Sequence, residues 1–374
     1  MERLTGPGEQ RRAAYNKPVA AARPSAARTR KWQQHFETCR GPASHPRFAR
    51  TSATARTLDA TTASTRDTGN RERPKGKEGC LIRKIPHPIS DSVVNAILEH
   101  HGIHAPWLAL RSTGVANWIF ATQDVVLRVS TDHTDAVPDA RTESVAAPVA
   151  RTAGIPVPAL IAFDDSRALV DRPYSLWERI HGETLGMFAP HPEAATGTWR
   201  AVGVELARLH SRITSCADPN RWLDEPGRVL GLEALTAEAA SKALISRNEA
   251  VEIESWTRAL RPLALVETER RFLHNDIHPM NVMCTRDDTL LAIIDWGDSG
   301  WGDPVLEFAQ VPVRALPYIL AGYSSEAHTP LGEGPEARIV WDKLGAFLED
   351  LLEHGASRHS LHEIRRFTVE KELF

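Results

Sequence analysis

One stretch of the chain places polar residues at the points where apolar runs end. Residues 272–304 read FLHNDIHPMNVMCTRDDTLLAIIDWGDSGWGDP. His274, Asp276 and Asn281 form the pattern H-x-D-x-x-x-x-N, and Asp295 opens D-W-G directly after an apolar run. Short strands beside these residues would anchor two loops, and the loops would present their polar groups to one cleft. A fold that contains this stretch must therefore bring the two loops together.

The residue types in this stretch suit phosphoryl transfer. Transfer of a phosphoryl group from ATP needs a carboxylate that accepts the proton of the attacking hydroxyl, and hard oxygen ligands for Mg²⁺. Asp276 can accept the proton, while Asn281 and Asp295 can bind a metal whose remaining ligands are water and phosphate. Aspartate and asparagine also form ordinary turns at strand ends, but three features in this order and spacing favour a site. We interpret His274 as a residue that orders the loop and His278 as structural.

The apolar pattern before residue 182 predicts a small sheet. A short helix is expected over residues 90–102. The runs WLALRST, NWIFAT, DVVLRVS, ALIAF and RPYSLWERI predict strands, the first three antiparallel and joined by tight turns. A helix over residues 138–153 follows the third strand, with Pro148 as a conflict inside it. We therefore predict an N-terminal lobe over residues 81–181 that is a small antiparallel sheet with one packed helix.

After residue 182 the pattern changes to helices. Apolar residues recur at i, i+3 and i+4 in TWRAVGVELARLHSR, EAVEIESWTRALRPLA and RIVWDKLGAFLEDLLEHG. Only the short runs NVMC and LLAIID interrupt these segments as strands, and both belong to the stretch described above. We predict a mostly helical lobe over residues 182–374 and, for the whole chain, an α+β fold.

The first 80 residues have a different composition. They hold 17 Lys/Arg and 7 Asp/Glu, a balance of +10, and no sustained apolar period. Such a segment cannot bury enough surface to offset its ordering entropy, so we predict a disordered basic extension over residues 1–80. An organelle transit peptide is a second reading, which Glu2, Glu9 and Glu37 weaken, and a start codon placed too far upstream is a third. A nucleic-acid-binding arm would need interleaved aromatics.

Composition excludes several classes for the rest of the chain. Residues 81–374 hold 28 basic and 41 acidic side chains, a balance of −13, which favours cationic partners and argues against nucleic acid. No apolar run approaches the roughly 18 residues that span a bilayer, so we expect no membrane segment. The four cysteines have neither metal-ligand nor disulfide spacing, which fits a reducing compartment, and we expect a cytoplasmic protein.

The sequence HNDIHPMNV followed by IIDWGDSGWGDP resembles the aminoglycoside phosphotransferase and choline kinase-like superfamily. The resemblance covers residues 90–374. It implies a protein-kinase-like bilobal fold in which ATP lies between the two lobes. Members usually carry glycine in the second position of the catalytic triplet, where this chain has Asn275.

The resemblance also implies residues for nucleotide binding. The phosphate-contacting cation of the family lies on the third strand, where this chain offers Arg128, and its partner acid lies on the following helix, where Glu143 stands. The linker between the lobes would bind adenine through the Glu178 carbonyl and the Ile180 amide, with Trp177 beside the ring. Arginine is a planar fork and lysine a point charge, so the contact with phosphate would differ from that of a lysine.

The acceptor is predicted to be a small molecule with a hydroxyl group. Protein kinases place a long activation segment after D-x-G, whereas only a few residues separate Gly297 from Pro304 here. In one branch of the superfamily the chain end faces an aminoglycoside. Glu372 and the carboxylate of Phe374 could contact amines in the same way, consistent with the acidic lobes.

Other acceptors and one other class stay open at this point. Sugar, choline, homoserine and macrolide kinases belong to the same superfamily. A nucleotide-binding pseudokinase is the competing class, and it is motivated by Arg128 at the expected lysine position and by Asn275. The presence of Asp276, Asn281 and Asp295 together argues against it, since a scaffold does not need all three.

Overall fold

The structure is a computed structural model that describes residues 87–111, 114–189, 191–355, 357 and 359–373. The basic extension predicted over residues 1–80 lies outside the described residues. The helices are α1 (Asp91–His100), α2 (Ala136–Thr152), α3 (Leu185–Phe188), α4 (Thr196–Arg212), α5 (Leu232–Ser241), α6 (Arg247–Ala264), α7 (Leu316–Glu326), α8 (Pro335–His354) and α9 (Leu361–Glu370). The strands are β1 (Leu108–Leu110), β2 (Asn117–Ala121), β3 (Val125–Ser130), β4 (Leu160–Asp164), β5 (Tyr174–Glu178), β6 (Glu183–Thr184), β7 (Arg271–Leu273), β8 (Val282–Cys284), β9 (Leu290–Ile293) and β10 (Gly300–Gly302).

Strands β1 to β5 form one antiparallel sheet in the order β1-β2-β3-β5-β4. Leu127 and Val129 of β3 are buried in a cluster with Ile97 of α1. Side chains alternate between the two faces of a strand, so Arg128 projects from the opposite face. The predicted α+β fold with a small antiparallel sheet is confirmed, and the alternation on β3 directs a cation away from the core of this lobe.

Helix α2 is the helix that the sequence predicted over residues 138–153. It begins two residues earlier, at Ala136, and it continues through Pro148. Proline removes one helical N–H and crowds the preceding turn, but it does not end the helix here. Ala146, Ala147 and Ala150 are buried against the main core, so packing stabilises this segment despite the weak local pattern.

Helices α4 and α7 of the second lobe pack closely against each other. The backbones of the two helices approach at Gly203 and Gly322. A Cβ atom at Gly203 would overlap the carbonyl oxygen of Ile319, and one at Gly322 would overlap that of Arg200. Only glycine permits this approach, which is why the helical pattern contains these two weak helix formers. The division of the chain after residue 181 stays a prediction of the sequence.

Two antiparallel strand pairs determine where the polar loops lie. Strand β7 pairs with β10, with Leu273 opposite Gly300, and β8 pairs with β9, with Val282 opposite Ile293. The loop over residues 274–281 leaves β7 and enters β8, while the loop over residues 294–299 leaves β9 and enters β10. The two strand pairs therefore place the two loops next to each other. We call them the catalytic loop and the metal loop.

No helix in the described part of the chain combines the length and the apolar character needed to cross a membrane.

Candidate active site

A cleft of about 370 Å³ lies between the sheet of the first lobe and the two loops of the second. Side chains or backbone of most residues that the sequence singled out line this cleft: Asp276, Asn281, Asp295, Arg128, Glu143, Glu178, Ile180 and Trp177. Arg128 and Asp295 are 167 positions apart in the chain, yet they are in direct contact in the cleft. The fold thus brings the predicted carboxylates, amide and cation to one place.

Asp276 is buried and is held by two neighbouring side chains. The Asn281 side-chain nitrogen donates to both the backbone carbonyl and Oδ2 of Asp276, each at 3.0 Å. His278 Nε2 lies 3.4 Å from the same Oδ2, and its Nδ1 accepts from the Met280 amide at 3.0 Å, which places the proton on Nε2. His278, for which the sequence predicts a structural role, thus contacts the carboxylate that is predicted to act as the base.

The contact with Asp276 also orients the amide of Asn281. Because Nδ2 is used by Asp276, the amide oxygen of Asn281 is the atom left to act as a ligand. Asp295 lies across the cleft on the metal loop, with a φ of 66° that non-glycine residues seldom adopt. Within the described residues, no group of three or more His, Cys, Asp and Glu side chains is placed to hold a metal ion. Two oxygen donors fit a hard ion such as Mg²⁺ that draws its other ligands from phosphate and water.

Arg128 bridges two carboxylates from different elements. Its Nη1 donates to Glu143 Oε1 at 2.7 Å, and its Nη2 donates to Asp295 Oδ1 at 3.4 Å. Burial alone would lower the pKa of Arg128, but the two carboxylates outweigh that effect and raise it above its ordinary value. The side chain is therefore a permanent positive charge in the cleft, and its planar fork serves both partners at once.

Helix α2 is docked against the metal loop. The Trp296 amide donates to Glu143 Oε1 at 3.4 Å, and a Cβ atom at Gly297 would lie 2.8 Å from the Cβ of Asp139. Glycine in the D-W-G triplet is thus required by a close helix approach. The same helix carries Glu143, whose carboxylate orients Arg128. The packing of α2 against the metal loop therefore fixes both the loop and the Arg128 side chain.

Apolar side chains line part of the cleft. Ile119 and Val126 line it from the sheet, and Met283 and Ile294 line it from the second lobe. Residues 178–180, in the segment that joins the lobes, also line the cleft. The Glu178 side chain accepts from the Ala159 amide at 3.0 Å and so ties this segment to the neighbouring part of the sheet.

Glu307 is a site residue that sequence analysis missed. It is fully buried in the 3₁₀ turn Pro304–Phe308. Its carboxylate accepts from the backbone amides of His274 at 2.7 Å and Asn275 at 2.8 Å, and His210 Nε2 lies 3.4 Å away. One buried carboxylate therefore holds the start of the catalytic loop. Its only signal in the sequence is an acid inside the apolar run PVLEF, which local patterns do not separate from a surface acid.

Replacing Glu307 by glutamine should lower both stability and turnover. Glutamine keeps one acceptor oxygen but turns an N–H₂ group towards a buried backbone amide, which leaves that amide without its acceptor. We expect the free energy of unfolding to fall by about 2 kcal/mol, since hydrogen bonds to a charged group contribute about 1.5–3 kcal/mol. We expect kcat to fall about tenfold as the loop loosens. Denaturant unfolding and steady-state kinetics measure the two effects.

The matched control is Glu333→Gln, which makes the same change at an exposed glutamate. It should leave both quantities within error of the wild type. An unchanged unfolding free energy in Glu307→Gln would contradict the anchoring role.

Glu372, one of the two predicted acceptor contacts at the chain end, is not among the residues that line the cleft. Glu372 is exposed with a φ of 50°, and its amide donates to the Val369 carbonyl just beyond α9. The Leu373 amide donates to the Thr368 carbonyl, and the Leu373 side chain packs against the main core. Phe374 lies outside the described residues. The structure thus joins Glu372 to none of the other predicted site residues, and an acceptor contact there stays a prediction.

Comparison with known proteins places these features in a family. Residues 109–319 match the phosphotransferase enzyme family, APH. No curated protein matches the chain significantly.

Solved structures share the fold at low sequence identity. Spectinomycin phosphotransferase, solved with ADP and spectinomycin, is 13% identical with a TM-score of 0.50, and the match covers 77% of this chain and 95% of that one. A mutant of aminoglycoside 2′-phosphotransferase-IIIa, solved with GDP, is 16% identical with a TM-score of 0.50 and coverage of 75% and 98%. A choline/ethanolamine kinase family protein from Mesorhizobium loti is 19% identical with a TM-score of 0.47 and coverage of 75% and 94%.

Proposed function

This chain belongs to the phosphotransferase enzyme family and is a small-molecule kinase, and from that premise we propose that it transfers the γ-phosphoryl group of ATP to a hydroxyl of an aminoglycoside-type antibiotic, with Mg²⁺ as cofactor. One observation carries the proposal. Asp276, Asn281, Asp295, Arg128 and Glu143 lie around a single cleft. A general base, two oxygen ligands and an ordered cation are the parts that phosphoryl transfer needs.

In the proposed reaction, the oxygen of the acceptor hydroxyl attacks the γ-phosphorus, and Asp276 accepts the proton of that hydroxyl. The bond from that phosphorus to the oxygen of the β-phosphate breaks, ADP leaves, and Asp276 returns the proton to solvent. His278 and Asn281 keep the carboxylate oriented for this transfer. Catalysis of this kind depends mainly on positioning and on electrostatic stabilisation.

Three side chains would help to neutralise the negative charge of the ATP phosphates. Asn281 and Asp295 would hold Mg²⁺, which when bound neutralises negative charge on the phosphate oxygens. Arg128 contributes a second positive charge. Glu143 keeps the Arg128 guanidinium in place, because Nη1 of Arg128 donates to Oε1 of Glu143 at 2.7 Å. The apolar side chains that line the cleft would pack against the adenine, with the Glu178 carbonyl and the Ile180 amide as its hydrogen-bond partners.

Two features support an aminoglycoside as the acceptor: the negative charge of residues 81–374 and the short segment after the metal loop. Residues 81–374 carry a balance of −13, which attracts polycations at long range. The 3₁₀ turn Pro304–Phe308 begins directly after β10, at Asp303 as N-cap, so the described segment offers no long activation loop for a peptide. The structurally similar spectinomycin phosphotransferase was solved with ADP and spectinomycin.

A phosphorylation screen with ATP and Mg²⁺ tests the proposal. The acceptors are aminoglycosides, macrolides, choline, homoserine and simple sugars. We expect turnover of aminoglycosides to exceed that of neutral acceptors, and kcat/KM to fall as added salt screens the attraction. Removal of Leu373 and Phe374 should raise KM more than it lowers kcat, because lost acceptor contacts lie away from the transferred group.

The outcomes of the screen distinguish an aminoglycoside kinase from a kinase of a neutral acceptor and from a pseudokinase. Selective turnover of a neutral acceptor, unaffected by salt and by the truncation, would overturn the aminoglycoside assignment and leave the kinase intact. Mg²⁺-dependent ATP binding without turnover of any acceptor would favour the pseudokinase.

A further inference from the structure

Asn275 occupies a position where the backbone alone would favour glycine. Its φ is 68°, in the left-handed region that glycine adopts without strain and asparagine tolerates. It lies between His274 and Asp276, and it is 3% exposed. The backbone requirement therefore accounts for a glycine or an asparagine here, but it does not account for burying a polar side chain.

Within the described residues, the buried side-chain amide of Asn275 donates one hydrogen bond and its oxygen accepts none. Its Nδ2 donates to the Asp298 carbonyl at 3.1 Å. Its Oδ1 is buried and has no hydrogen-bond partner within the described residues. An unpaired buried acceptor lowers stability. The side chain therefore carries a cost in stability at Oδ1, while its Nδ2 forms a hydrogen bond with the metal loop.

That contact joins the catalytic loop to the far end of the metal loop. The near end is already attached, because His274 Nε2 donates to the Ile294 carbonyl at 3.0 Å and the Ile294 amide donates to the Asn281 carbonyl at 2.9 Å. Asp295 follows Ile294 directly, and Asp298 is three residues further along. The metal loop is therefore attached to the catalytic loop on both sides of Asp295.

Asp295 needs such support because its own backbone is in an unfavourable conformation. Its φ of 66° is left-handed, and aspartate adopts this region at a cost in free energy. The pairing of Gly300 with Leu273 and the hydrogen bond of the Trp296 amide to Glu143 already restrain this loop. The contact at Asp298 adds a restraint three residues from Asp295, and it opposes a rotation that would turn the Asp295 carboxylate away from the cleft.

We propose that Asn275 is a positioning residue whose side-chain amide, by holding the Asp298 carbonyl, keeps Asp295 in the geometry that binds metal–nucleotide. The role rests on the proposed function, since it assigns Asp295 to the metal. It gives this chain a link between its two loops that a glycine at the same position could not supply.

The test compares Asn275→Gly with Asn275→Asp. Glycine keeps the left-handed backbone, removes the unpaired Oδ1 and loses the contact. Aspartate keeps the shape but replaces the donor with an oxygen that faces the Asp298 carbonyl. The full-length protein is titrated with a non-hydrolysable ATP analogue with and without Mg²⁺, and melting temperature, kcat and KM are measured alongside.

We expect a separation of function from stability in Asn275→Gly. The melting temperature should stay near the wild-type value, analogue affinity without Mg²⁺ should be unchanged, and the gain in affinity on adding Mg²⁺ should fall about tenfold. Turnover should fall by a similar factor, and more in Asn275→Asp. A merely structural side chain would instead lower the melting temperature and both affinities together.

The failures can be told apart. If the wild type shows the Mg²⁺-dependent gain and both variants retain it in full, the positioning role is wrong and the proposed function stands. If the wild type itself shows no such gain, the metal assignment of Asp295 and the positioning role are both wrong.

Discussion

Asp276→Asn is expected to reduce kcat by about 10³-fold while affinity for ATP stays within about threefold of the wild type. General bases contribute roughly 10²–10⁴-fold to enzymatic rates. The amide has the shape of the carboxylate and can still accept from Asn281 Nδ2, so the loop keeps its conformation. What it cannot do is take up the proton of the acceptor hydroxyl.

The control for this prediction is Asp287→Asn. Asp287 is an exposed carboxylate just beyond β8, outside the cleft lining, and the same change of charge there should leave kcat unaltered. Single-turnover kinetics with excess enzyme isolate the chemical step from product release. A chemical step within tenfold of the wild type in Asp276→Asn would remove Asp276 from the role of base.

Arg128→Ala is expected to lower kcat/KM by about 10²–10³-fold and the free energy of unfolding by about 3 kcal/mol. Loss of a preorganised group that stabilises transition-state charge has an effect of this size on rate. The loss of stability has a separate cause. Glu143 is 4% exposed, and a buried carboxylate without its cation is strongly destabilising.

A double variant separates these two effects. Arg128→Ala combined with Glu143→Gln removes the buried charge of Glu143 and leaves only the partly exposed Asp295 without its cation. Most of the unfolding free energy should therefore return while kcat/KM stays low. Recovery of activity together with stability would show that Arg128 acts only as a partner of Glu143.

Arg167→Ala is the matched arginine control in the same lobe. Arg167 Nη1 lies 4.0 Å from Asp171, whose side chain is 97% exposed, and exposed pairs contribute about 0–1 kcal/mol. We expect this variant to keep its activity and nearly all of its stability.

The elements that carry the site were predictable because their signals are local. The strand runs around Arg128 and Asp295 alternate or end at a polar residue within a few positions, and the helices of the second lobe repeat with the helical period. The spacing of Asp276 and Asn281 within one loop is likewise a short-range property. Pro148 shows the limit of local reasoning, since the packing of neighbouring alanines in α2 overrides it.

Other parts of the site could not be read from the chain. Glu307 contacts amides 32 and 33 residues away, and His210 reaches Glu307 from 97 residues away. Neither residue differs in local pattern from an ordinary helix or turn residue. The contact of Asn275 with Asp298 depends in addition on the pairing of β7 with β10.

The sequence by itself determined which side chains could perform phosphoryl transfer and that they stand on loops between strands, because side-chain chemistry and hydrophobic period are properties of short segments. Only the tertiary structure decided which loops face each other, since strand pairing is a long-range choice. It also decided that one arginine serves two carboxylates and that a buried glutamate anchors the catalytic loop. Hydrogen bonds between distant segments form only when the chain is folded, and buried groups must find such partners or lose stability.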